Sequence, residues 1–183
     1  MRDVRTYVVV CTCLLLVAGC GGGSKSEACA PLPGAGKAAR IGPPTAVDTT
    51  FLTAVRLQSG RCADRVSFDF RADKGRPGFR ADYLDPARGV VEDGSGRRLR
   101  VDGSAFLALR FFPAATAYSS GEKLVFTYAG PRRLRPDGSR YVREVVKTGD
   151  FEAVVTWVIG LSERRPFRIV TSTSPPRLVV ELD

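Results

Sequence analysis

Asp64-Arg65-Val66-Ser67-Phe68-Asp69-Phe70-Arg71 is the stretch on which the fold turns. Val66, Phe68 and Phe70 alternate with Arg65, Ser67, Asp69 and Arg71, which gives an extended chain one apolar and one polar face. The same period of two recurs on either side. Phe51, Thr53, Val55 and Leu57 form an earlier run, and Phe79, Ala81 and Tyr83 a later one. Phe106 to Phe112 is nearly all apolar, as a strand buried on both faces or at a sheet junction would be. Phe151, Ala153, Val155, Trp157 and Ile159 line one side of another run, Phe167, Ile169 and Thr171 the next, and Leu178, Val180 and Leu182 the last.

Turn residues punctuate these runs: Ser59-Gly60, Gly75-Arg76-Pro77-Gly78, Asp93-Gly94-Ser95-Gly96, Asp102-Gly103, Pro136-Asp137-Gly138 and Ser174-Pro175-Pro176. No window carries a helical apolar face. The expectation is an all-β fold: a single β-sandwich domain of about eight or nine strands over residues 49–183. Pro113 to Tyr141 stands apart, with one strand at Lys123 to Tyr128 inside a long loop. Loops of that length in compact domains are usually functional or disordered.

Upstream the composition changes. Leu14-Leu15-Leu16-Val17-Ala18-Gly19-Cys20 closes an apolar run with small residues and a cysteine. Arg2 and Arg5 precede it, so residues 1–19 read as a lipoprotein signal peptide with Cys20 as the lipidation site. The apolar segment is too short for a spanning helix, whereas a diacylglyceryl group supplies two chains, enough for stable attachment. This places the protein on the cell membrane, lipid-anchored, on the extracytoplasmic side. Residues 20–48, rich in Gly, Ala, Pro and Ser, read as a flexible linker.

Of five cysteines, Cys11 and Cys13 leave with the signal and Cys20 takes the lipid. Cys29 and Cys62 remain, an even pair in a compartment where disulfides persist, and a bridge is expected; two free thiols are the alternative. The bridge would leave eight free residues after Cys20, a span of roughly 16 Å, which reduction should lengthen. With no His and only two remaining thiols, a zinc site and a Ser-His-Asp or Cys-His centre are excluded. Asp64 with Asp69, or Asp150 with Glu152, could form a carboxylate pair of the glycosidase kind, but each fits an ordinary strand position. Gly94-Ser95-Gly96 leads into a strand and offers no helix N-terminus to a phosphate. The expectation is a non-enzyme without cofactor or metal.

The chain carries 28 Lys+Arg against 19 Asp+Glu. Loss of residues 1–19 removes Arg2, Arg5 and Asp3, leaving 26 against 18 and a net +8. Outside the cytosol such charge points to lipid head groups, wall polymers and peptidoglycan carboxylates, not to nucleic acid. Basic clusters stand at Arg97-Arg98-Arg100, Arg132-Arg133-Arg135 and Arg164-Arg165-Arg168; a merely solvated surface explains each of them too.

Several ordered motifs carry a family resemblance. Asp64 to Phe70, Gly130-Pro131-Arg132-Arg133, Gly149-Asp150-Phe151-Glu152 through Trp157-Val158-Ile159-Gly160-Leu161, Arg165-Pro166-Phe167-Arg168 and Pro175-Pro176-Arg177-Leu178-Val179-Val180-Glu181 resemble the AMIN-like domain of secreted proteins and lipoproteins from GC-rich Gram-positive bacteria. The resemblance covers about Thr49 to Asp183. It implies a β-sandwich and a non-catalytic role in the cell envelope, where AMIN domains are thought to direct their hosts to peptidoglycan. Ser67 and Cys62-Ala63 depart from the pattern of that group.

The candidate ligand-binding residues are Tyr118, Phe126, Tyr128 and Tyr141 with Arg132, Arg133, Arg135 and Arg140, all in the long loop. Aromatic faces stack on sugars and guanidinium groups fork onto carboxylates, while Trp157 reads as core. The expected partners are the membrane through Cys20 and peptidoglycan or an anionic wall polymer. The alternatives are a module that recruits an envelope protein and a basic domain lying on anionic lipid.

Overall fold

The computed structural model describes residues 28–183; the signal segment 1–19 and Cys20 lie outside the described residues. Two sheets pack face to face. The first contains, in spatial order, β1 (Arg40–Gly42), β4 (Gly78–Tyr83), β7 (Ala105–Phe112), β13 (Val154–Leu161), β12 (Val142–Phe151) and β11 (Arg133–Leu134). The second contains β14 (Phe167–Thr173), β15 (Pro176–Leu182), β3 (Asp64–Arg71), β2 (Thr50–Ser59) and β8 (Ala114–Ala115). Two ribbons are attached, β9 (Ala117–Ser120) with β10 (Lys123–Phe126), and β5 (Val90–Val91) with β6 (Arg98–Leu99). The fold is all-β, as expected. Its long strands are those read from alternation, together with β12.

The alternation of β3 becomes the centre of the core. Phe68 packs on Phe111 with ring centroids 4.8 Å apart and meets Trp157 edge-on at 6.0 Å. Val66, Phe68, Leu107, Leu109, Phe111, Trp157 and Ile159 are almost fully buried. The apolar run in β7 has a physical reason. Leu107, Leu109 and Phe111 face the sandwich interior, while Ala108 and Phe106 join Val90, Val101, Val146 and Val158 in a second cluster on the sheet's outer face. The excursion after β4 covers that face. Where it crosses β13, the Asp102 carbonyl lies against Gly160, and a side chain there would have no room. Every residue of both clusters falls between Leu52 and Leu182, so the described residues contain a complete core.

The structure corrects the sequence reading at four places. In β2 the buried apolar residues are Leu52 and Val55, and not a Phe51-Thr53-Val55-Leu57 face, because a bulge between Leu52 and Ala54 shifts the phase. Phe151 ends β12 and is 64% exposed, since the chain turns at Glu152 and Ala153, both at positive φ. Val142 to Gly149 belongs to a long strand that the sequence did not announce. The linker expected over residues 20–48 ends earlier: Leu32 N–H donates to Asp183 Oδ2 at 2.7 Å, Gly36 bridges to Phe167, and Arg40–Gly42 pairs with β4.

Cys29 and Cys62 are joined, with Cα atoms 5.3 Å apart and 33 residues between them in sequence. Such a loop is worth about 3–4 kcal/mol in the chain-entropy treatment. Reduction frees only a few more residues, because the backbone is held again from Leu32 onward. The tether lengthening expected from the sequence therefore shrinks to about that much.

Candidate functional site

The strand directions give the sandwich two distinct ends. One end collects the start of β3, the ends of β2, β13 and β15, the start of β12 and the disulfide. The other collects the start of β2, the ends of β3, β7 and β12, and the β9–β10 ribbon. Eight-residue strands such as β3, β7 and β13 separate the two ends by roughly 27 Å.

The long loop runs from one end to the other, so its candidate residues do not form one patch. Tyr118 is at the ribbon end, 5.3 Å from the Phe51 ring and beneath Arg71. Tyr128 is core: its ring meets Trp157 edge-on at 5.6 Å and its hydroxyl donates to the Pro131 carbonyl. Burial pushes that phenol above its ordinary pKa. Arg133 and Arg135 sit partway along, on Glu144. Arg140 and Tyr141 lie at the disulfide end, with Tyr141 buried.

Phe126 and Arg132 come together with Tyr128, with Asp150, which the sequence offered only as a carboxylate, and with residues it did not single out. In the β9–β10 ribbon, Phe126 pairs with Ala117 and Val125 with Tyr118. Side chains alternate across the ribbon, so Tyr118 and Val125 share one face while Leu124 and Phe126 share the other. The structure leaves Leu124 59% and Phe126 66% exposed. They border a recess of about 420 Å³ completed by Thr116, Ala117, Tyr128, Gly130, Arg132, Lys147 and Asp150. Its polar floor is internally bonded. Lys147 Nζ donates to Thr116 Oγ1 at 3.0 Å and to Asp150 Oδ2 at 3.1 Å, and the Thr116 hydroxyl donates to the same carboxylate.

Arg132 forms the rim. Its Nε donates to the Lys147 carbonyl at 3.2 Å, and its guanidinium pairs with Glu92. The Arg132 hydrogen bond, helped by those of Ser95 and Arg97, lowers the Glu92 carboxyl to about 2. Half of the Arg132 side chain stays accessible, 53%, and carries unspent N–H donors. The assembled surface offers an apolar ring and a leucine beside a floor of hydroxyl, ammonium and carboxylate groups, with a guanidinium at the edge. Groups of this kind are able to stack on the face of a sugar and to satisfy hydroxyls and a carboxylate. The signal for Leu124 was present in Leu124-Val125-Phe126, because a two-stranded ribbon cannot hide three consecutive apolar residues. Nothing local marked Thr116 and Lys147, and Asp150 stood out only as a carboxylate; the three meet only through the pairing of distant segments.

Three of the four carboxylates weighed as catalytic pairs are engaged in structural bonds, while Glu152 is exposed. Asp64 Oδ2 accepts from Ser139 Oγ at 2.7 Å and from Tyr141 N–H at 2.8 Å. Asp69 pairs with Arg56 and Arg177 across the sheet surface. Asp150 is taken up by Lys147 and Thr116.

Among known proteins, the AMIN-like domain profile matches residues 50–183. No curated protein and no solved structure matched the chain. A match of that extent marks a binding module of the cell envelope, and the chain belongs to the AMIN-like domain family.

Proposed function

We propose that the protein is a membrane-anchored envelope lipoprotein whose non-catalytic domain binds peptidoglycan through the recess between the β9–β10 ribbon and β12. The observation that carries the reading is Phe126, two-thirds exposed beside the Thr116-Lys147-Asp150 floor. An aromatic ring left in water at the mouth of a polar recess is the arrangement a glycan strand uses, and the Arg132 guanidinium suits the carboxylates of that polymer. The engagement of Asp64, Asp69 and Asp150 in structural bonds supports a binding role over a hydrolytic one.

Sedimentation of the domain with purified cell wall tests the proposal. Phe126→Ala should weaken binding about tenfold, the magnitude of one lost stacking contact. Undiminished binding would overturn the assignment of the recess.

A second reading, recruitment of an envelope protein, is favoured by β14. Among the described residues only Phe167 is bridged on its outer edge, to Gly36, and Ile169 to Ser174 carry no charge to deter an added strand.

A further inference from the structure

At the disulfide end the surface is strongly basic. Lys37, Arg61, Arg140 and Arg165 line one recess together with Cys29 and Cys62. Arg164 joins them by donating to the Lys37 carbonyl at 3.2 Å. Aromatic rings hold three of these cations in place. The Arg165 and Arg140 guanidinium carbons lie over Tyr141 at 4.2 and 5.2 Å from its centroid, and Arg164 lies over Tyr83 at 4.8 Å. Of the neighbouring carboxylates, Glu163 pairs with Arg165 and one oxygen of Asp183 accepts from Leu32 N–H. Lys37, Arg140 and Arg164 remain exposed.

The chain upstream enters the domain at this same end. Eight residues, Gly21 to Ala28, separate Cys20 from Cys29. Fully extended, they reach at most about 28 Å. An anchor at Cys20 therefore keeps this end within a few Debye lengths of the bilayer, about 8–10 Å each at physiological salt.

From this geometry we infer that the Cys29–Cys62 end is an anionic-lipid docking surface, seated on the membrane by Lys37, Arg140 and Arg164 with Arg165 behind them. The inference rests on the lipoprotein reading for its orientation. It turns the ribbon-end recess away from the bilayer and toward the wall. Preorganisation by Tyr141 and Tyr83 lowers the side-chain entropy lost on docking, and each surface lysine or arginine near an anionic leaflet strengthens binding about fivefold.

The test uses residues 20–183 carrying Cys20→Ser, so that no acyl chain contributes. Binding is measured to phosphatidylcholine vesicles with and without phosphatidylglycerol, at low and high salt. The expected result is binding only to the anionic vesicles, lost at high salt, and weakened at least about 30-fold by Lys37→Glu with Arg140→Glu. Lys74→Glu with Lys123→Glu makes the same charge change at the opposite end and should alter binding by less than about 3-fold. Equal losses in the two double variants would overturn the inference by showing that only net charge matters. Binding to neutral vesicles alone would overturn it too, as would displacement by millimolar inorganic phosphate, which marks a site for a free anion. Acyl mass on Cys20 of envelope-purified protein decides the lipoprotein reading separately, since the vesicle assay does not depend on it.

Discussion

Glu144 is 1% exposed and is held by Arg133 at 3.0 Å, Arg135 at 3.3 Å and the Asp102 N–H at 3.1 Å. Arg133 also donates twice to the Arg100 carbonyl. Its role is to neutralise a buried charge and bind the loop before β7 to the sheet. Arg133→Ala should therefore cost about 2 kcal/mol, the scale for losing a hydrogen bond to a charged group. Arg132→Ala should cost distinctly less, since its ion pair faces solvent. Denaturant titration separates them, and equal costs would contradict these roles. The two arginines adjoin in sequence and read alike there, because their difference lies in a partner eleven residues away for one and forty for the other. Glu92 supplies a pH signature. Its folded pKa, about 2, lies below the ordinary 4.5. Its contribution is present above the unfolded value and fades as pH falls toward 2. A carboxyl NMR titration should find that midpoint, and Arg132→Gln should move it upward; an unmoved midpoint would deny the contact.

Among the elements, strict alternation makes β3, β4 and β15 legible in the residue order itself. Strands with bulges are harder to read. β2 shifts phase between Leu52 and Ala54, and β12 shifts twice, between Val142 and Glu144 and between Lys147 and Gly149. A single inserted residue exchanges the buried and exposed sets, so a fixed period of two misassigns the first strand and misses the second. β1 is hidden for another reason: three residues carry no period. Its place in the sheet comes from pairing with β4 and from the pinning of the preceding chain by the disulfide. Cys29→Ser with Cys62→Ser should lower stability by about 3–4 kcal/mol, read by thermal or denaturant unfolding. Far-UV dichroism should stay that of a β protein, because both apolar clusters lie outside the closed loop apart from Leu52, Val55 and Leu57. Loss of the fold would show that the bridge, and not the core, holds the sandwich together.

For the whole molecule, the important property is the difference between its ends. The sequence named aromatic and arginine residues for a glycan surface and grouped them by proximity along the loop, but the loop spans the sandwich from ribbon to disulfide. Phe126 and Arg132 stay together, while Arg140 and Tyr141 end up at the opposite end with Arg165. Under the proposed anchoring, a basic near end and an apolar, polar-floored far end suit a domain that stands on a membrane and reaches outward. The most direct measurement is backbone NMR of residues 20–183 carrying Cys20→Ser, titrated with soluble peptidoglycan fragments. The predicted result is shifts concentrated at Thr116, Leu124, Phe126, Arg132, Lys147 and Asp150, with Lys37, Tyr141 and Arg164 unmoved. Shifts confined to the disulfide end, or none at saturating fragment, would contradict it.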